Sequence, residues 1–405
     1  MEDRTRREPA GARHRARRLW AAGAALALGA ATAACGGPAP AARAHAGSGA
    51  GRVLLVGTFE GHTGAYRTIQ QAVDAARPGD WVLVAPGDYH EDDDLAHPPS
   101  AAAAGAGEFG AVRITTPHLH LRGMDRASVI VDGTRPGGST PCSAAPGAQE
   151  LGAPGAGGAP DGRNGIVVDA PGVSVENLTV CNFLGGSADA GTGVWWNGGD
   201  GSGRIGLAGY RGDYLTATST YDGGPATAAR TGIAADDAAG PATWDELYAA
   251  NFARAGLALA GCRQRCAVGV EDVWAQYDAV GLAATNAGGA VTVEGSRFDD
   301  DRTGAAVTTS VSTDPPAPQD GDCPGPATSP RTHTRSCWVF AHNVVDDDDD
   351  VDVPQAGAGP VPAGTGLSIA GGTHDTVTDN TFAGDGAWGV LLAPDADGGA
   401  PAAGQ

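Results

Sequence analysis

The chain of 405 residues contains no lysine; all 26 of its basic residues are arginine. A lysine base is therefore excluded, and a basic proton abstractor would have to be an arginine. Arginine-only usage beside abundant Ala and Gly is what GC-rich codon usage produces. Methionine is also scarce: beyond the initiator there is only Met124, which argues against a soft, thioether-lined copper site. Aromatic residues make up 5%, so a core must rest on Val, Leu, Ile and Ala. Positive charge is outweighed, since 26 basic against 47 acidic residues leaves a formal −21. Nucleic acid is excluded as a partner, because phosphate neutralisation needs a basic face. Beyond residue 34 no apolar run is long enough to cross a membrane.

Glycine, by contrast, is abundant: 65 of 405 residues, near 16%, against an average of about 7%. That suits many tight turns and not a helical protein. The stretch Asn164 to Phe183, NGIVVDAPGVSVENLTVCNF, shows how the turns are used. Ile166, Val168, Val173, Val175, Leu178 and Val180 alternate with polar residues in short pieces, punctuated by Asn, Gly and Pro. This is a strand pattern and not a helical one. It reads as two short strands and two turns, one coil of a solenoid.

Recurrence supports that reading. A Gly followed by an apolar residue returns at Gly165-Ile166, Gly193-Val194, Gly232-Ile233, Gly256-Leu257, Gly281-Leu282, Gly304-Ala305, Gly366-Leu367 and Gly389-Val390, with several spacings of 23 to 28 residues. Between them come Glu176-Asn177-Leu178, Asp213-Tyr214-Leu215, Asp245-Glu246-Leu247, Glu271-Asp272-Val273, His342-Asn343-Val344 and Asp379-Asn380-Thr381. In each, an Asn or acidic residue precedes a mostly apolar one. A solenoid stacks such equivalents at about 4.8 Å per coil.

The N-terminus has the form of an export signal: Arg13, Arg15, Arg17 and Arg18, an apolar Ala/Leu run from Leu19 to Ala34, then Thr32-Ala33-Ala34-Cys35. Thr-Ala-Ala-Cys resembles a bacterial lipobox, which implies lipidation at Cys35, although Thr32 stands where Leu is commonest. Cleavage at Ala-x-Ala with simple secretion, or an uncleaved anchor, are the alternatives. The expected organisation is a signal over 1–34, a flexible Gly/Pro/Ala tether over 35–51, a single body over 52–394 and a disordered tail over 395–405. The location expected is the outer face of the cell membrane, or outside the cell.

The body opens with a short strand at Val53 to Val56 and an amphipathic helix over Tyr66 to Arg77, with Ile69, Ala72, Val73 and Ala76 on one face. Pro78-Gly79-Asp80 stops the helix, and Trp81 to Val84 is the next strand. The whole of TIQQAVDAARPGDWVLVAPGDYHE resembles the N-terminal cap of the right-handed parallel β-helix superfamily, the pectin-lyase-like proteins. Val112-Arg113-Ile114, Leu119 to Gly123 and Val129 to Gly133 resemble the strands that follow it. NGIVVD, VENLTV, GVWWNGGDG, GDYLTATSTYD and TNAGGAVTVEGSRF resemble bacterial exported β-helix repeat proteins of largely unassigned function. The resemblance implies an all-β, right-handed parallel β-helix whose first coil is covered by a short helix. Two excursions leave the regular pattern, Thr134 to Gly162 and Val311 to Ser336, the latter followed by the acidic run Asp346 to Asp350.

The familiar active-site patterns of that superfamily are missing. Its lyases typically use a basic residue, sometimes with Ca²⁺ held by Asp clusters, and no Asp set brackets an arginine at coil spacing. Its glycosidases need several carboxylates and a Gly-His-Gly-like site; Asp236-Asp237 and Asp299 to Asp301 supply acids, without the histidine. The pectin-esterase and alginate-epimerase signatures are absent too, so no catalytic residue is assigned. An enzyme of lyase, hydrolase or epimerase type on the same scaffold stays the alternative to a binding protein.

Six cysteines besides Cys35 fit an oxidising location: Cys142, Cys181, Cys262, Cys266, Cys323 and Cys337. Fifteen pairings are open; proximity favours Cys262–Cys266 and Cys323–Cys337, leaving Cys142–Cys181. No zinc-type Cys spacing competes. His118 and His120, at i and i+2, would share a face if both lay on a strand, and Asp346 to Asp350 could hold Ca²⁺ loosely; no metal ligand set is assigned. Trp195, Trp196, Tyr214, Tyr221, Tyr248, Trp274 and Tyr277 come from neighbouring coils and are the candidates for a glycan-stacking face. The expectation is an exported, lipid-anchored monomer that binds polysaccharide.

Overall fold

The computed structural model describes residues 51–98, 100, 109–155, 157–188, 190–199, 202–262, 266–309, 327–328, 335–336, 338–354, 361–371 and 375–394. The export segment, Cys35, Cys323, Cys337 and the tail 395–405 lie outside them. The described chain winds as a right-handed parallel β-helix. Three long parallel sheets of ten, nine and nine strands form its sides. Each coil adds one strand to each sheet in turn, so hydrogen-bonded neighbours are almost always three strands apart in sequence.

The recurrent Gly-apolar pairs all open strands of the third sheet. Register runs Ile166↔Val194↔Ile233↔Leu257↔Leu282↔Ala305↔Leu367↔Val390, eight coils in one column. All but Val390, which belongs to the last described strand, are buried. Stacking like on like gives this column its continuity with aliphatic side chains alone. Trp196, Trp244, Trp338 and Phe298 are buried elsewhere in the core, which therefore rests on more than the aliphatic residues the composition suggested.

The corner between the first and second sheets is a single residue in the left-handed region: Asn177, Tyr214, Glu246, Asp272, His342 and Asp379 have φ of 51–57°. Asn and Asp tolerate this conformation, which accounts for Asn177 and Asp272 before the inward-facing Leu178 and Val273; Tyr214 and Glu246 adopt it before Leu215 and Leu247. The last two triplets slip by one relative to the sequence reading. His342 and Asp379 hold the corner, and Asn343 and Asn380 take the inward place of the leucines. Asn343 is buried because its amide is used on both sides: Oδ1 accepts from Ser296 N at 2.9 Å and Nδ2 donates to Val293 O at 3.0 Å. Asn380 Oδ1 repeats the bond to Asn343 N at 2.9 Å.

A second ladder runs inside the corner between the second and third sheets. Phe252 N–H donates to Asp278 Oδ1 at 2.7 Å, Asp278 N–H to Asp301 Oδ1 at 2.7 Å, and Asp301 N–H to Asp348 Oδ1 at 3.2 Å. The three aspartates are fully buried, and their Oδ2 atoms have no hydrogen-bond partner. Burial is the first cause that pushes all three carboxyls far up, Asp348 to about 9. Burial thus favours the protonated form of each, which lowers the cost of burying them. The glycines make room: a Cβ at Gly256, Gly281 or Gly304 would run into Asp278, Asp301 or Asp348 respectively. The acidic run is thus not simply a solvated loop, because Asp348 belongs to the interior.

The capping helix is shorter than the pattern suggests, Ile69–Ala75. Thr68 caps it by accepting from Gln71 N at 3.2 Å, and the buried Glu91 accepts from Ile69 N and Gln70 N at 2.7 and 2.9 Å. Ile69, Ala72 and Val73 face the first coil. Disulfides join Cys142 to Cys181 and Cys262 to Cys266, with Cα separations of 5.7 and 5.2 Å; the first pins the Thr134–Gly162 excursion to the second sheet.

Candidate functional site

Outward-facing residues of the third sheet form a row that starts large and then turns small. Trp195 is in register with Ala234, and the row continues through Ala258, Ala283 and Ala306. A methyl where a sheet surface usually carries a longer side chain leaves a trough. The result is a groove of ≈ 500 Å³ running across five strands, roughly 19 Å long at about 4.8 Å per strand. Trp195, 8% exposed, closes one end and Val361 lies at the other.

The two flanks differ in chemistry. Arg230, Arg254 and Arg302 each stand immediately before a third-sheet strand, and all three line one flank. Arg230 Nη2 donates to Gly186 O at 2.7 Å and Arg302 Nη1 to Val361 O at 3.1 Å, which orients both guanidinium groups; Arg254 is exposed. At the opposite ends of the strands stand Asp236, Thr285 and Thr308. Asp236 is the one carboxylate among the described residues that line the groove.

The seven aromatic candidates do not form one face. Successive strand residues point to opposite sides, so Trp195 looks outward and Trp196 inward. Trp196 is fully buried, with Tyr210 and Trp244 at 5.4 and 6.2 Å between ring centroids; it is core and not a binding residue. Tyr221 is partly buried against the core. Tyr214 and Tyr277 are exposed because each occupies a left-handed corner, not a sheet face. Tyr214 hydroxyl donates to Glu246 Oε1 at 2.7 Å, and this bond is the first cause holding its proton on above the usual range. Tyr248 and Trp274 alone of the set sit together on the second sheet, edge to face at 5.4 Å.

Those two line a second, more open hollow of ≈ 560 Å³ with Arg126, Thr216, Glu246 and Asp272. Its indole is already engaged: Trp274 Nε1 donates to Asp299 Oδ1, and Arg297 lies 5.8 Å from the Trp274 ring centre. Arg126 lies 5.9 Å from the ring centre of Tyr214, which is outside the hollow. Stacking faces are therefore scarcer than the residue count suggests.

The histidines also separate. His118 has φ 57° and precedes the strand that begins at His120, so the pair does not share a strand face. His120 instead stacks on Trp81 at 4.3 Å and hydrogen-bonds Ser174 Oγ at 2.9 Å. The arginine flank escaped the sequence reading. Its only signal was an Arg directly before Thr231, Ala255 and Thr303, in a chain with 26 arginines.

No family model matches the chain, and no curated protein does. Solved structures give similarity in the course of the chain. A pectate lyase is 12% identical with a TM-score of 0.41, covering 81% of this chain and 70% of its own. An alginate lyase from a Paenibacillus species is 11% identical at 0.39, covering 85% and 98%. A pectin methylesterase from carrot is 11% identical at 0.37, covering 84% and 88%.

Proposed function

We propose that the chain binds an acidic, uronate-containing polysaccharide along the third-sheet groove. The observation that carries this reading is the alanine-floored trough with three arginines on one flank. A glycan chain is long, narrow and hydroxyl-rich, and a trough across five coils suits such a ligand. Guanidinium groups are suited to carboxylates, which they can meet with two parallel hydrogen bonds. Asp236, Thr285 and Thr308 supply acceptors and donors for hydroxyls. In a chain of formal charge −21, three clustered arginines favour an anionic ligand over a neutral one. Beyond about 8–10 Å the surrounding acids are screened at physiological salt.

The chain acts, on this proposal, as an exported monomeric binding protein tethered to the membrane through Cys35. The test is retention of the purified chain on polygalacturonate or alginate against a neutral glucan, together with absorbance for unsaturated ends. Retention on the polyuronate alone, lost in Arg254→Ala and Ala258→Trp at unchanged melting temperature, is the expected result. Equal retention on the neutral glucan, or none on either, overturns it. New unsaturated ends would replace binding by lyase chemistry. For the tether, Cys35→Ala is expected to move the chain from the membrane fraction to the medium.

A further inference from the structure

We propose that Asp88, His90 and Asp132 form a binding site for a divalent transition-metal ion, separate from the groove. The strand Gly87–Tyr89 turns Tyr89 inward, so alternation returns Asp88 and His90 to the outer face. Parallel pairing of Asp88 with Ile130 and Tyr89 with Val131 brings His90 beside Asp132 on the next coil. One ligand atom from each of the three lies within 4.8 Å of the others. His90 Nε2 is 3.3 Å from Asp88 Oδ2. Two ligands bound about 2.0 Å from a tetrahedral ion stand about 3.3 Å apart, so this edge already has the required length.

The histidine is held in the ligating orientation. Its Nδ1 lies 2.7 Å from the carbonyl oxygen of Thr134; a carbonyl only accepts, so Nδ1 carries the hydrogen. In the neutral ring Nε2 then presents its lone pair to the Asp88 carboxylate. A metal ion placed between the two would be ligated by both. An imidazole that ligates through one nitrogen while the other donates to a backbone carbonyl is the usual outer-shell arrangement of a metal site.

Asp132 is fully buried and fixed by two backbone donors, Thr134 N to Oδ1 at 2.8 Å and Cys142 N to Oδ2 at 2.7 Å. Each of its oxygens keeps a second lone pair. The Cys142–Cys181 disulfide stiffens the surrounding excursion, and as a disulfide it supplies no thiolate. The Asp88 side chain, 32% exposed, forms the solvent side, and no arginine among the described residues pairs with either carboxylate. One imidazole and two carboxylates with an open solvent position suit Zn²⁺ or a similar first-row ion.

Isothermal titration of the metal-free full chain with ZnCl₂, and Co²⁺ visible absorption, test the site. The expected result is one ion per chain and a melting temperature raised by the metal. Asp88→Asn should weaken binding by about 10–100-fold without changing the metal-free melting temperature, and His90→Gln should weaken it at least as much. Asp132→Asn does not discriminate, because Asp132 also holds the excursion. Absence of uptake, or uptake that survives His90→Gln, overturns the proposal.

Discussion

Trp195 and Trp196 are adjacent in the chain, yet the strand Thr192–Asn197 places the first over the groove and the second among Tyr210 and Trp244. Removing the buried ring leaves a cavity as well as losing burial, so Trp196→Ala is expected to cost about 3–5 kcal/mol in denaturant unfolding. A loss below about 1 kcal/mol would contradict its interior placement. The glycines of the third sheet carry a second residue-scale consequence. Gly281 has no room for a side chain, because a Cβ there meets Asp301 Oδ2 and Gly304 O. Gly281→Ala should therefore destabilise by about 1–3 kcal/mol, measured the same way; a neutral result would mean that the ladder gives way easily. The sequence made Gly281 visible as a repeated residue. It did not show why, since the atom it avoids belongs to the next coil.

At the scale of elements, the corners explain which residue types recur. The left-handed corner is held by Asn or Asp in three of the six coils named and by Tyr214, Glu246 and His342 in the others. The next position runs Leu178, Leu215, Leu247, Val273, Ser296 before Asn343 and Asn380 replace apolar burial with amide hydrogen bonds. The aspartate ladder has a pH signature. Asp348, raised to about 9 by burial first and by Asp385 and Asp299 among its charged neighbours, holds its proton in the folded chain. An unfolded carboxyl releases it near 3.9. The folded state therefore binds more protons between these values, and its stability falls as pH rises from about 4 towards 9. Asp385, raised to about 6, adds to the lower part of that window. Melting temperature is expected to fall between pH 5 and pH 9, and Asp348→Asn to flatten the fall. Parallel curves for the two proteins would refute a proton-holding ladder. The acidic run Asp346 to Asp350 shows how far a sequence reading reaches: it identifies a cluster of negative charge, but only the winding of the chain sends Asp348 inside and leaves Asp347 and Asp349 exposed.

For the whole molecule, the solenoid turns a local row of alanines into a trough and three scattered arginines into one flank. Binding that rests on those arginines is sensitive to ionic strength. As the Debye length falls from about 10 Å at 0.1 M to about 3 Å at 1 M salt, polyuronate retention should weaken while the melting temperature changes little; salt-independent retention would point to stacking or hydrogen bonding instead. The sequence by itself determined the coil: alternation sets strand faces, Gly, Asn and Asp set the corners, and a repeat of about one coil stacks equivalents in register, all of them interactions between near neighbours or identical positions. It also showed that a helix begins the body, because amphipathic spacing is local. Only the tertiary structure decided which aromatics are core and which are surface, that Arg230, Arg254 and Arg302 share a flank, and that Asp88 and His90 meet Asp132. These depend on the register between coils and on which side of the sheet each residue takes. A shift of one residue reverses that side, and composition and spacing alone leave such a shift open.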